Sequence, residues 1–391
     1  MTPTMSVSKD MLTTPLQQEA AEECLRRNIP FALYALPSDD KCRFIASLPD
    51  DDGKSQPSHT GSRDSFFISR FMADEPYMAG ISDSLDEEGI INLIASRPDI
   101  KGSPTQERPY LTSTRRVSYM QAFEGMTHRL RKEGGKVVLS RHESIFTTRG
   151  LLDSALDYFS SSPSTFRYLC FTPETGIWAG ATPELLLETG TDPGLIRTMA
   201  LAGTRPRDTQ ESAWDSKNLL EHNIVVNFIS EILQSHSLKV DVGQLTEVSA
   251  GAVTHLCTPI TASGDLSDIM SVINDLNPTP AVAGFPRDKA ISEIDYFETH
   301  QRRCYSGIVG VRDSRGWHVY VNLRCAMAAR ATLNGNEGWI FNIYAGGGLM
   351  PDSRPDDEWD ETDRKMSVLR ASLQSASSVI ETNPTEATFI H

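Results

Sequence analysis

The stretch Trp214 to Gln234, WDSKNLLEHNIVVNFISEILQ, is typical of an amphipathic helix that carries one acid on its apolar face. Glu221 precedes a set of apolar residues by three, four, seven and eleven positions, and these are Ile224, Val225, Phe228 and Ile232. Because such positions share one face of a helix, Glu221 is predicted to point into the interior or a cleft. An unpaired carboxylate there would be costly, so we expect a proton, a cation or a metal beside it. A buried ion pair, or a helix end at the rim of the protein, explains this helix equally well.

A second acidic helix is predicted near the C-terminus, in the segment DEWDETDRK that ends at Lys365. Glu358, Glu361, Lys365 and Leu369 lie on one face at i, i+3, i+7 and i+11. Alone, the pattern is most often a solvated first turn, since the helix dipole favours acids there. Facing Glu221, it would instead offer the carboxylates that Mg²⁺ prefers, together with water and substrate oxygens.

Composition narrows the classes of partner. The 391 residues could form two or three domains or one large α/β or α+β unit, and 39% hydrophobic residues suffice for a sizeable core. A net charge of −15 argues against a nucleic-acid or anionic-membrane surface, and no apolar run is long enough to span a bilayer. A small-molecule substrate is the expected partner. The oligomeric state stays open, with a monomer included.

The six cysteines are scattered, with no CxxC pair and no metal-ligand spacing. No charged and then apolar leader precedes them. We therefore expect reduced thiols and a cytoplasmic location.

The chain is predicted to form one domain with short extensions at both ends. We expect residues 1–15 to be frayed, residues 16–373 to form the domain, and residues 374–391 to be a tail. Within the domain, the expected N-terminal features are a helix at 17–27, strands within 31–48, a polar loop at 50–64 and a long connection at 97–117. The N-terminal hundred residues have too little patterned apolar sequence for a core of their own.

From Tyr119 onward the pattern alternates between helices and strands. Helices are predicted at 119–132 and 151–159, and strands at 136–141, 166–171, 176–180, 184–188, 195–202, 253–258, 306–312, 317–328 and 339–344. Several strands adjoin as hairpins. The predicted fold is therefore α/β of the α+β type, with a large, mainly antiparallel sheet system flanked by helices.

Nine motifs follow one another in this part of the chain: KVVLSR from Lys136, GATPE to Glu184, LAGTR to Arg205, EH at Glu221, NPTPAVAGFP from Asn277, SGIVG from Ser306, LRCA from Leu323, AGGG to Gly348 and EWDET from Glu358. In this order, over residues 119–370, they resemble the chorismate-utilising enzymes, and most closely the isochorismate synthase branch. The resemblance implies a single domain of two large antiparallel sheets, packed face to face with helices outside. It also implies Mg²⁺-dependent isomerisation of chorismate.

The resemblance assigns the two reacting groups. Lys136 would be the general base that activates water, and Glu184 the general acid that protonates the departing 4-hydroxyl. A lysine serves as a base only where its surroundings leave part of it neutral, and the apolar neighbours Val137 and Val138 permit this. Taken singly, Lys136 would be interpreted as a lysine extending from a strand end, and Glu184 as an ordinary carboxylate at a strand end.

The resemblance also implies a metal set and a substrate set. Glu221 and Glu361 would bind magnesium, with Glu358 acting directly or through water, and the metal would neutralise the ring carboxylate. Arg324, expected within a strand, would bind the enolpyruvyl carboxylate. The other expected substrate contacts are Gly203, Thr204, His255, Ala281, Tyr305, Gly346, Gly347, Gly348 and Lys365.

The chain departs from the expected pattern at a few positions. Asn218 stands where an aspartate is usual, Asn277 where a histidine is common, and Tyr305 where a phenylalanine or similar ring is expected. These differences affect the geometry of the site more than the class of reaction.

Three other functions remain open. A salicylate synthase would also expel pyruvate, an anthranilate- or aminodeoxychorismate-type synthase would use ammonia, and a homologue without catalysis would only bind its ligand. The product could feed siderophore, salicylate, menaquinone or other secondary metabolism, and the sequence does not distinguish these pathways.

Overall fold

The computed structural model describes residues 12–37, 39–47, 64–72, 78–81, 85–190, 192, 194–209, 213–373, 377–380 and 387–390. Eight helices lie in this part of the chain: α1 (Pro15–Arg27), α2 (Glu87–Ser96), α3 (Arg116–Glu133), α4 (Leu151–Ser160), α5 (Ser216–Ser235), α6 (Ile269–Leu276), α7 (Arg287–Phe297) and α8 (Pro355–Ser372). The expected frayed segment 1–15 and the expected loop 50–64 lie mostly outside these residues.

The strands of the same residues are β1 (Phe31–Ala35), β2 (Arg43–Ala46), β3 (Ser65–Ser69), β4 (Met78–Ile81), β5 (Lys136–Thr147), β6 (Phe166–Thr172), β7 (Gly176–Thr182), β8 (Leu185–Thr189), β9 (Leu195–Pro206), β10 (Lys239–Val242), β11 (Thr246–Ala250), β12 (Val253–Ser263), β13 (Gly284–Phe285), β14 (Ile308–Asp313), β15 (Gly316–Val321), β16 (Cys325–Leu333), β17 (Asn336–Leu349), β18 (Ser377–Val379) and β19 (Ala387–Phe389).

These strands form two antiparallel sheets. The first has the order β13-β5-β17-β16-β7-β6-β1-β2, with β18 on β5 and β19 on β16. The second has the order β10-β12-β9-β8-β15-β14-β3-β4, with β11 on β12. The predicted fold class, a single α/β unit with two large antiparallel sheets, is confirmed.

Aromatic side chains fill the space between the sheets. Tyr34 and Phe166 of the first sheet contact each other. Tyr34 also contacts Phe66 of the second sheet, and Phe166 contacts Tyr320 of the second sheet. The outer faces are covered by helices, with α1, α2, α4 and α8 on the first sheet and α5 and α6 on the second. Burial of apolar side chains on both faces of each sheet stabilises this layered arrangement.

Two of the places where the chain passes from one sheet to the other are neighbours in space. Strand β7 of the first sheet leads through Pro183 and Glu184 to β8 of the second, and β15 returns through residues 322–324 to β16. The backbone N–H of Val321 donates to the carbonyl of Glu184 (3.0 Å), and that of Ala181 donates to the carbonyl of Arg324 (3.2 Å). The two crossings therefore lie side by side.

The prediction of one strand at 317–328 is wrong, because the second crossing interrupts it at residues 322–324. Arg324 lies outside any strand, with a φ of 49°, because the backbone must bend where it leaves one sheet for the other. Alternation of side chains continues on both sides of the bend, so the pattern of the sequence does not reveal it.

The N-terminal third completes both sheets instead of forming a core of its own. Strand β1 pairs with β6 in the first sheet, and β3 pairs with β14 in the second. The sequence analysis did not predict helices α6 and α7, which pack on the second and the first sheet, respectively. None of the helices given above is long and apolar enough to cross a membrane.

Candidate active site

A cavity lies where the two crossings meet the ends of β9, β12 and β17. Eleven of the predicted site residues line it: Glu184, Gly203, Thr204, Glu221, His255, Ala281, Tyr305, Arg324, Gly346, Gly348 and Lys365. The structure thus brings together residues that are spread over 182 positions of the sequence. Lys136, Gly347, Glu358 and Glu361 do not line this cavity.

Lys136, the first residue of β5, is fully buried beside the cavity. Its Nζ lies 2.9 Å from Oε1 of Glu221, an ion pair whose angles fall outside hydrogen-bond geometry. Burial alone would raise the pKa of Glu221, but Lys136 and Lys217 together hold it below its ordinary value. The acid on the apolar face of α5 is therefore charged, and its interior position depends on these two ammonium groups.

Glu184 lies in the first crossing, between Pro183 and β8, and is buried. Burial raises the pKa of its carboxyl group from an ordinary 4.5 to about 7, against the opposing effect of Lys136 and Lys365. A carboxyl group with this pKa carries a proton near neutral pH and can release it. That is the property a general acid requires.

Arg324 is oriented by His255. The Arg324 Nη2 group donates to Nε2 of His255 (3.1 Å), so the ring proton lies on Nδ1, which faces Oγ1 of Thr204 (3.1 Å) and the carbonyl of Gly203 (3.3 Å). Burial and the nearby Arg324 and Lys365 hold the pKa of His255 well below its usual range, so the ring is neutral. His255 is thus a positioning residue for the guanidinium group.

Gly203 allows β9 to bulge at this point. Its φ is 79°, and the register between β9 and β12 shifts between His255 and Leu256, which leaves Gly203 as the additional residue. The bulge places Thr204 opposite His255, where its hydroxyl reaches the ring. Asn218 fixes the same turn, because its Oδ1 accepts from the N–H of Thr204 (2.9 Å).

Two further lysine–glutamate pairs involve the predicted metal ligands. Lys365 Nζ donates to Oε1 of Glu361 (2.6 Å) and to the carbonyl of Gly346 (2.8 Å). Lys217 Nζ donates to Oε1 of Glu358 at 2.5 Å. Each of the three predicted metal ligands thus contacts one lysine, counting the Lys136 pair described above.

Glu358 and Glu361 line a separate recess that adjoins the cavity at Thr204. Burial and Glu361 raise the pKa of Glu358 to about 7, while Lys217 acts in the opposite direction. Gly347 faces this carboxylate instead of the cavity, because successive residues of β17 point to opposite sides. Gly347, a predicted substrate contact, therefore faces the side of β17 opposite to Gly346 and Gly348.

The carboxylates suit a hard cation in their chemistry. Oε2 of Glu358 is buried and has no hydrogen-bond partner. A Cβ at Gly347 would lie 2.7 Å from that oxygen, and a Cβ at Gly348 would lie 2.2 Å from Oε1 of Glu221. The two glycines keep space open beside both acids. In the part of the chain that the structure describes, however, no three acidic, histidine or cysteine side chains converge closely enough to hold a metal as they stand.

Sequence analysis missed Lys217 and assigned no role to His222. Lys217 lies one helical turn before Glu221, and this i, i+4 spacing was a usable signal. His222 is a structural residue, since its ring nitrogens contact the carbonyl of Ala202 (3.1 Å) and Oγ1 of Thr258 (2.7 Å). These contacts hold α5 against β9 and β12.

Comparison with known families places the chain in a class that fits this fold and site. Residues 67–374 match the model of the chorismate binding enzyme family. Because the match covers more than half of the chain, the protein belongs to the chorismate-binding enzyme family.

Individual relatives within that family carry more specific names. The chain is 30% identical over 269 residues to the isochorismate synthase MenF of Bacillus subtilis, covering 65% of this chain and 55% of that protein. It is 30% identical over 249 residues to the isochorismate synthase EntC of Escherichia coli, covering 60% of this chain and 61% of that protein. The matched region thus spans less than two thirds of either relative.

Solved structures show the same fold. The menaquinone-specific isochorismate synthase MenF of Escherichia coli superposes with a TM-score of 0.69 at 23% identity, covering 92% of this chain and 91% of that chain. At this identity the likeness establishes the arrangement of the sheets and helices.

Proposed function

We propose that this protein is an isochorismate synthase that isomerises chorismate to isochorismate with Mg²⁺. The observation that carries the proposal is that a fully buried lysine lies beside a cavity whose lining includes a buried carboxyl group that is protonated near neutral pH. The names of the relatives at 30% identity support the same activity.

The charges of the cavity suit a substrate with two carboxylates. Arg324 and Lys365 line it from separate elements, the second sheet crossing and α8. A guanidinium fork and an ammonium group recognise carboxylates through charge-assisted hydrogen bonds. Tyr305 stacks on Tyr344 with ring centroids 5.4 Å apart, and both rings line the cavity, so they provide a flat apolar wall for a six-membered ring.

The reaction exchanges the position of a hydroxyl group. Lys136 takes a proton from water as the water oxygen bonds to a ring carbon, the ring double bonds shift, and the 4-hydroxyl leaves as water with a proton from Glu184. Glu221, which Lys136 contacts, is also a proposed metal ligand, so Mg²⁺ would compete with the lysine for this carboxylate.

Magnesium would be held by Glu221, Glu361 and Glu358 and would supply positive charge for the ring carboxylate. The unpartnered Oε2 of Glu358 and the space left by Gly347 and Gly348 support this assignment.

The six cysteines are buried free thiols, which agrees with the proposal that the protein acts in the cytoplasm.

The test is incubation of the purified protein with chorismate and Mg²⁺, followed by separation of the products. We expect an equilibrium mixture of chorismate and isochorismate, reached from either side, because exchanging one hydroxyl position for another changes little bonding. Ammonium should not be incorporated. Stoichiometric, enzyme-dependent release of pyruvate with a fluorescent salicylate product would instead identify a salicylate synthase.

A further inference from the structure

The three lysine–glutamate pairs of the site differ in how freely the lysine can leave. Lys136 is fully buried, and Lys365 is anchored by a second bond to the carbonyl of Gly346. Lys217 is different, because 29% of its side chain is exposed while its partner Glu358 is only 2% exposed. It extends from the first turn of α5 into the recess beside the substrate cavity.

The hydrogen bonds of Glu358 divide its two oxygens. Oε1 accepts from Lys217 Nζ (2.5 Å) and from Oγ of Ser353 (2.7 Å), whereas Oε2 is buried without a partner. If Lys217 left, Ser353 alone would remain as a donor to a buried carboxylate. Such a charge is strongly destabilising unless another cation or a proton neutralises it.

We propose that Lys217 is a displaceable counter-ion for Glu358, which holds this carboxylate until a divalent cation takes its place. The inference rests on the proposed metal site. An ammonium group and a metal ion cannot both occupy Oε1, and they repel each other. Lys217 can withdraw into solvent along its exposed side, so its departure leaves no buried ammonium group. The lysine therefore stabilises the protein in the absence of metal and weakens its affinity for metal.

The experiment compares wild-type protein with Lys217→Met, which retains the length and apolar stem of the side chain without its charge. Mg²⁺ affinity is measured by titration calorimetry without substrate, and thermal unfolding is measured in chelator and in saturating Mg²⁺. We expect Lys217→Met to bind Mg²⁺ about tenfold more tightly. Its midpoint of unfolding should fall in chelator, and Mg²⁺ should remove most of that difference.

Two further variants make the result specific. Lys289→Met removes a lysine that is paired with Glu133 at a similar distance (2.7 Å) on the surface, and it should change neither quantity. Lys217→Met combined with Glu358→Gln removes both charges, and it should recover the stability lost in chelator while losing the gain in Mg²⁺ affinity.

An unchanged Mg²⁺ affinity in Lys217→Met would overturn the proposal. An equal loss of stability with and without Mg²⁺ would also overturn it, because that behaviour belongs to a static ion pair. Both measurements are made without turnover. A wild-type protein that shows the expected metal linkage but makes no isochorismate would thus contradict the proposed function and leave the role of Lys217 intact.

Discussion

The Nζ atom of Lys136, at the start of β5, lies 2.9 Å from Oε1 of Glu221 on α5. The acid on the apolar face of α5 is therefore the direct partner of the proposed base. Lys136 has no exposed surface, so neither charge is stable at this depth without the other or a substitute. Stability and catalysis consequently depend on the same contact.

Replacing Lys136 with Met should lower turnover at least about a hundredfold, because the base is lost. It should also lower the free energy of unfolding by about 3–5 kcal/mol, since Glu221 loses its closest cation. Product formation and denaturant unfolding measure the two effects.

The double variant Lys136→Met/Glu221→Gln separates the loss of activity from the loss of stability. Removing both charges should restore much of the stability and none of the activity. Recovery of activity in the double variant would show that Lys136 serves only to neutralise Glu221.

The pH dependence of chorismate turnover should reflect the ionisation of Glu184. Because burial raises its pKa to about 7, the acid is protonated below that pH and ionised above it, so chorismate turnover should fall as pH rises through about 7. Glu184→Gln should be at least about a hundredfold slower and should lack this limb of the pH profile. An unchanged limb in this variant would assign the titration to another group.

The raised pKa of Glu184 also makes the free energy of unfolding depend on pH. The unfolded chain ionises Glu184 at its ordinary 4.5, so the stability contributed by the protonated native form is present below pH 4.5 and is lost as pH rises to about 7. Above this window, Glu184→Gln should be more stable than wild type by at most about 3 kcal/mol. Chemical unfolding at pH 5 and pH 8 provides the comparison.

Removal of metal should abolish turnover. In chelator, no divalent cation would balance Glu221, Glu358 and Glu361 against an anionic substrate, and added Mg²⁺ should restore the rate. Glu361→Gln should require more Mg²⁺ for half-maximal rate while remaining folded. Full activity of the wild-type protein in chelator would contradict the metal assignment.

Substrate affinity should depend on the contact between His255 and Arg324. His255→Ala removes the acceptor that orients the guanidinium group, so KM for chorismate should rise roughly tenfold, with a smaller change in kcat. His236→Ala is the matched control, because His236 pairs with Asp275 on the surface (2.8 Å) and should leave both constants unchanged. A fall in kcat at constant KM would place His255 in the chemical step.

Much of the local structure was predictable because it depends on nearby residues. The helical spacing around Glu221 predicted α5 and the inward direction of that carboxylate, and the structure has both. The acidic face of Glu358, Glu361 and Lys365 was also predictable, since positions three and four apart on a helix are neighbours. The role of each residue depended on the family motifs, because an isolated lysine or glutamate carries no such information.

The partners of these residues were not predictable in the same way. Nothing near Lys136 in the sequence indicates that its ammonium group meets Glu221, which lies 85 positions later. The bend at Arg324 was missed for a related reason, because alternation along the chain continues while the backbone leaves one sheet for the other.

The sequence by itself therefore determined the amphipathic elements, their inward-facing acids and the family motifs, since each depends on spacing along the chain. Only the tertiary structure decided which cation neutralises which acid. It also decided that the proton donor and the guanidinium fork lie on two adjacent sheet crossings. The physical reason is that ion pairing and desolvation depend on distances in space, which packing of the two sheets sets between residues far apart in the chain.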